Sequence, residues 1–115
     1  MAATSRKRPA RVVLILAAYP RRQAAERAAK ALVRDRVLAC ATVIPGARAH
    51  YSWRGRRHAD PSTLLQGKTT AARSREAIRR IRETHPDQVP EIMVFDVVGG
   101  APDYLAWVAE EVKRR

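Results

Sequence analysis

A chain of 115 residues with 23 Lys and Arg against 11 Asp and Glu, a net charge of +12 and one cysteine is a single domain's worth of sequence without an intramolecular disulfide framework. That length buries roughly two thirds of the surface that the unfolded chain exposes, so a real core is available. The charge brings self-repulsion and a field attracting phosphates, nucleic acids or acidic surfaces, while the lone Cys40 excludes Cys-x-x-Cys redox and zinc motifs.

Residues 1–10 hold Ser, Arg, Lys and Pro with no hydrophobic period and are expected to be a disordered basic arm; residues 11–115 are expected to form the folded domain. Val12 to Ala18 is a short, continuously apolar run and reads as a strand buried on both faces. As a signal peptide it is at the short limit, and Tyr19-Pro20-Arg21-Arg22 is a poor cleavage context. No run approaches a membrane span. A soluble cytoplasmic protein is expected.

Pro20 suits a helix N-terminus. From Arg21 to Asp35, Ala25, Ala28, Ala29, Leu32 and Val33 recur at helical spacing and define one packing face. Residues 37–53 read as a long extended segment with a bulge or bend at Pro45-Gly46, and Gly55 marks a hairpin turn. A return strand is expected from Ser62 to Lys68, with Thr69 or Thr70 capping the next helix. On that helix Ala77, Ile78 and Ile81 face inward and Arg75, Arg79 and Arg82 share the outer side. His85 closes it before Pro86, near a helix C-terminus that favours its protonated form. Residues 91–98 give a last main strand, Gly99-Gly100 a turn, and Pro102 opens a short helix carrying Tyr104, Leu105, Trp107 and Val108.

The order is βαββαβ with an extra C-terminal helix, an α+β ferredoxin-like sandwich in which helices cover one face of an antiparallel four-stranded sheet. The other face needs a cover, and self-association is the simplest one. In Gln66-Gly67 an interior glycine is expected to weaken its strand by roughly 0.5 to 1 kcal/mol relative to Ala.

Chemistry-bearing residues are few. His50, His58, His85 and Cys40 are the only soft ligand candidates, and no two stand at a metal-motif spacing. Cys40 lies in an apolar strand and reads as a small buried thiol, and His50 and His58 flank the hairpin and read as solvent-facing. Glu91 pairs with an arginine, caps its turn or lines a polar wall. Tyr51, Trp53, Tyr104 and Trp107 suit interface packing. No Ser, His and Asp set, paired carboxylates or Gly-rich phosphate loop is present, so an enzyme is not expected.

Four segments, Cys40-Ala41-Thr42-Val43-Ile44-Pro45-Gly46, Tyr51-Ser52-Trp53-Arg54-Gly55, Lys68-Thr69-Thr70 and His85-Pro86-Asp87-Gln88-Val89-Pro90-Glu91-Ile92, resemble the CutA family of divalent-cation tolerance proteins in order and spacing over residues 11–113. The resemblance implies a PII-like homotrimer in which the long second and third strands pair between subunits. It implies a non-enzymatic role in metal tolerance, with no membrane, with nucleic acid not the expected partner, and with a downstream protein partner left unnamed. Cys40, Tyr51, Trp53, Lys68, Glu91, Tyr104 and Trp107 are expected at a subunit cleft or interface. The family's copper pattern falls on Ala17, Thr84 and His85, so two of three ligands are absent. No cofactor is required and any copper binding, carried by His85, should be weak. The alternative from charge alone is a basic ferredoxin-like module binding RNA or small anionic ligands through the Arg75, Arg79 and Arg82 row.

Overall fold

The computed structural model describes residues 10–114, so all but the last residue of the expected basic arm lies outside the described residues. Along the chain run β1 (Val12–Tyr19), α1 (Arg22–Arg34), β2 (Cys40–Trp53), β3 (Arg56–Thr70), α2 (Ala71–Thr84), β4 (Ile92–Asp96) and α3 (Pro102–Glu111). The strands form one sheet in the order β2-β3-β1-β4 with every neighbouring pair antiparallel, as the ferredoxin-like reading requires.

Side-chain alternation gives the sheet two faces. On β1 and β3 the odd-numbered Ile15, Ala17, Tyr19 and Leu65 are buried with Ala25, Ala28, Ala29 and Leu32 of α1 and Ala77 and Ile81 of α2. The alanines carry no rotamer entropy and let the helices approach closely. Caps contribute little here. Neither Arg21 nor Thr70 makes a side-chain cap bond, so packing of an apolar face holds these helices. The expected threonine cap is corrected: the Thr69 hydroxyl instead donates to the Val37 carbonyl at 2.7 Å, tying the end of β3 to the α1–β2 link. Val33 turns outward, 40% exposed, and Ile78 is only half-buried.

The even-numbered face is covered at one end alone. There α3 lays Leu105, Val108 and Val112 against Val12, Ala39 and Val97. Beyond the sheet, β2 and β3 continue as a paired arm to a turn in which Arg54 and Gly55 both adopt left-handed backbone (φ 53° and 78°), as a two-residue type I′ turn demands. The return strand therefore starts at Arg56 rather than Ser62. The arm explains a radius of gyration of 16.1 Å, against about 13 Å for a compact chain of this size.

At Pro45-Gly46 the register slips by one residue, Ile44 facing Leu64 but Ala47 facing Ser62, and Gly46 has φ 88°. This is the expected bulge, and it has a directional effect. A one-residue slip exchanges the faces of a strand. Even-numbered Cys40, Thr42 and Ile44 lie on the open face before it, odd-numbered Tyr51 and Trp53 after it.

Candidate functional site

The pairing registers lay out the open face in rows. Cys40, Lys68, Leu14 and Phe95 form one; Thr42, Gln66, Leu16 and Met93 the next; Ile44, Leu64, Ala18 and Glu91 the third, Glu91 placed by its carbonyl accepting from the Ala18 amide at 3.2 Å. Toward β4 this surface is apolar, with Met93 and Phe95 exposed; toward β2 it is polar. Tyr104 and Trp107 of α3, tilted against each other with centroids 5.7 Å apart, stand exposed at the covered end. Tyr51 and Trp53 extend the same side along the arm.

Every residue expected at a cleft or interface thus falls on one face of the molecule. Cys40 is half-buried rather than buried. It neighbours Tyr104, whose phenol is pushed up first by burial and then by Cys40. Lys68 is half-buried and its ammonium donates to the Thr42 hydroxyl at 2.9 Å and the Gln66 carbonyl at 3.3 Å. Tyr51 donates to the Asp60 carboxylate at 2.6 Å, which raises its phenol, and stacks on His58 at 5.0 Å, so His58 is half-buried rather than solvent-facing while His50 is exposed. Arg54 lies over the Trp53 ring at 5.5 Å, a cation–π contact, and reaches Gln88 at 3.4 Å. Thr42 and Gln66, which complete the polar strip around Lys68, escaped the sequence reading. Their signal was the period of two, since they stand two residues from Cys40 and from Lys68 and so on the same face.

His85 sits apart from this face, buried under α2. Its Nε2 is 2.7 Å from the Ala18 carbonyl, its Nδ1 accepts from the Asp87 amide at 3.1 Å, and its ring stacks on Tyr19 at 4.4 Å. With Nδ1 accepting, Nε2 is left to donate to Ala18, and His85 stands at the C-cap of α2 as expected, its amide donating to the Arg82 carbonyl at 3.4 Å. The Tyr19 hydroxyl is buried with no hydrogen-bond partner among the described residues, and burial pushes it up to about 12. On the outer side of α2, Arg79 is paired with Glu83 at 3.0 Å, so the arginine row is partly neutralised.

The family model for "CutA1 divalent ion tolerance protein" matches residues 13–111. The chain belongs to the CutA1 family. A Thermus thermophilus divalent-cation tolerance protein CutA is 35% identical over 97 residues, covering 84% of this chain and 94% of that protein. The CutA structure from Xylella fastidiosa superposes with a TM-score of 0.86 at 35% identity, over 89% of this chain and 98% of the other. An Archaeoglobus fulgidus structure, described as a periplasmic divalent cation tolerance protein CutA, shares the fold with a TM-score of 0.85 at 24% identity, covering 89% and 99% of the two chains.

The residues at the CutA copper pattern do not fit a copper ion. Ala17 offers no donor, the Thr84 hydroxyl donates back to the Arg80 carbonyl at 3.3 Å, and the His85 lone pair is taken by Asp87. Among the described residues no cluster of three or more His, Cys, Asp or Glu is placed to hold a metal, and no helix is long and apolar enough to cross a membrane.

Proposed function

We propose that this chain works as a non-enzymatic homotrimer of the CutA type in the cell's response to divalent metal ions. The open face supports this reading. Leu14, Leu16, Leu64, Met93 and Phe95 line a face that α3 covers at one end alone, and the arm beside it carries Tyr51 and Trp53. A second and third copy are the cover that its shape and the family suggest. Light scattering at micromolar concentration should give three times the chain mass; a stable monomer overturns the reading.

Metal tolerance in this proposal runs through the assembled surface rather than through storage of the ion, since Ala17, Thr84 and His85 form no ligand set. Copper binding is then weak and centred on His85, whose imidazole must release Asp87 to ligate. Calorimetric titration tests it: tight, stoichiometric copper binding that survives His85→Ala would contradict this part. A cytoplasmic location belongs to the same reading, and cell fractionation decides it.

A further inference from the structure

Two opposite charges on the body of the open face lack ion-pair partners. Lys68, half-buried between Cys40 and Leu14, spends two of its three N–H donors on Thr42 and Gln66 and meets no carboxylate among the described residues. Glu91, exposed at the start of β4 beside Ala18, meets no cation among them. Of the other acids near this side, Asp60 is engaged by Tyr51 and Asp96 by Arg11, while Asp87 stands by the arm and Asp103 on α3, both off the sheet. Lys68 and Glu91 stand two strands and two rows apart, roughly 10 Å across and 13 Å along the sheet. One chain cannot bring them together.

Each charge lies at the border of the apolar surface that assembly covers. A charge buried there without a partner is strongly unfavourable, whereas a hydrogen-bonded opposite pair is tolerated and fixes register. In a closed ring each contact is heterologous, one copy presenting one patch and its neighbour another. We propose that assembly joins Lys68 of one copy to Glu91 of the next, so that this pair, rather than apolar area, sets which copy docks and in which register. The proposal rests on the homotrimer reading. It gives Thr42 a role: its hydroxyl, with the main-chain carbonyl of Gln66, holds the ammonium of Lys68 in place with one donor left for the neighbour's carboxylate.

The test is a charge exchange read by native mass spectrometry and sedimentation. Lys68→Glu and Glu91→Lys should each raise the concentration at which the trimer dissociates by at least about 100-fold, and Lys68→Glu with Glu91→Lys in one chain should return it to within about tenfold of the parent. Mixing the two single variants should recover assembly partly, because a three-membered ring of two kinds always keeps one like-charged contact. An internal pair would give no recovery on mixing. Arg56→Glu, at a cation on the arm, should not rescue Glu91→Lys. Single variants that assemble like the parent, a double variant as weak as the singles, or rescue through Arg56 would each overturn the pair while leaving the trimer standing. A monomeric parent chain would instead overturn the trimer beneath it.

Discussion

The two faces of the sheet are built from alternate residues of the same strands, yet one is finished within the chain and the other is not. Leu65 is fully buried against α1 and α2, while Leu64, its neighbour in sequence, is half-buried on the open face. The covered face uses small residues and branched aliphatics that fill space between helices and sheet. The open face mixes Leu14, Leu16, Met93 and Phe95 with Thr42, Gln66, Lys68 and Glu91. A core has no use for those charges, whereas an interface that must choose a register does. The difference teaches that burial in this chain is divided between folding and assembly, residue by residue.

Replacing the two leucines separates these tasks. Leu65→Ala should lower folding stability by about 2–5 kcal/mol through lost transfer energy and a cavity. Thermal unfolding of the variant should shift alike at every protein concentration. Leu64→Ala should cost less, and its loss should grow as the protein is diluted, because part of that contact belongs to another copy. Two variants with the same concentration dependence would erase the distinction between the faces.

A second comparison sets the arm against α3. Trp53 is carried on a ribbon that pairs with its partner strand and reaches the Asp87-Gln88 segment through Arg54, whereas Trp107 shares its surroundings with Tyr104 and the end of the sheet. Trp53→Ala should weaken assembly by about 2–4 kcal/mol, the range of a buried aromatic anchor, and Trp107→Ala by less. Sedimentation of both variants over a dilution series checks this, and equal retention of the trimer would remove the arm from the interface.

Much of this division was legible in the sequence where local rules suffice. The helix faces follow from the spacing of Ala25, Ala28, Ala29 and Leu32, and the turn and bulge from Gly55 and Pro45-Gly46, because period and backbone permissiveness are local properties. What the sequence hides is the consequence at long range. The bulge swaps odd for even positions, which is how Tyr51 and Trp53 join Cys40 on one surface. The ring of His85 finds the Ala18 carbonyl across 67 positions of sequence, so its hydrogen bonds, and with them its poor standing as a ligand, depend on how β1 and α2 dock. The return strand is longer than its sequence shows for a similar reason, while its partner is legible to Trp53: Arg56 to Pro61 carries no apolar alternation, and only pairing with β2 makes it a strand.

The unpartnered Tyr19 hydroxyl is a flaw in the covered face, and it yields a pH signature. Burial holds the Tyr19 phenol up to about 12 against an ordinary 10.0, so the unfolded chain ionises first. The folded form then binds the extra proton between those values. Its stabilising contribution is complete below pH about 10 and should fall by about 1.4 kcal/mol per unit until about pH 12. Tyr19→Phe should abolish that slope and, by removing an unpartnered hydroxyl, raise stability at neutral pH by up to about 1 kcal/mol. Denaturant melts from pH 7 to 12 compare the two. Parallel curves above pH 10, or a large loss in the phenylalanine variant at pH 7, would show that the hydroxyl has a partner.

The smallest expected effect tests how tightly the covered face is filled. Gly67 looks like a weakness in the middle of β3, since glycine in a strand costs roughly 0.5 to 1 kcal/mol relative to Ala, and on that ground Gly67→Ala should stabilise. Its surroundings reverse the sign. A Cβ at position 67 would stand 2.9 Å from both terminal methyls of Leu38 and 3.4 Å from its Cγ, and Leu38 is itself only 1% exposed. A methyl end can often swing aside, but this one is enclosed by the core that holds Leu32, Val37 and Leu65, so the strain passes to neighbours. Overpacking of this kind costs about 1–3 kcal/mol, which outweighs the gain in strand propensity. Gly67→Ala should therefore lower stability by about 1 kcal/mol, and Gly67→Ala with Leu38→Val, which gives back the space, should recover part of it. Denaturant midpoints of the single and double variants decide the matter: a more stable Gly67→Ala would mean that the covered face is loosely packed at β3, and that glycine there serves no purpose beyond sequence drift.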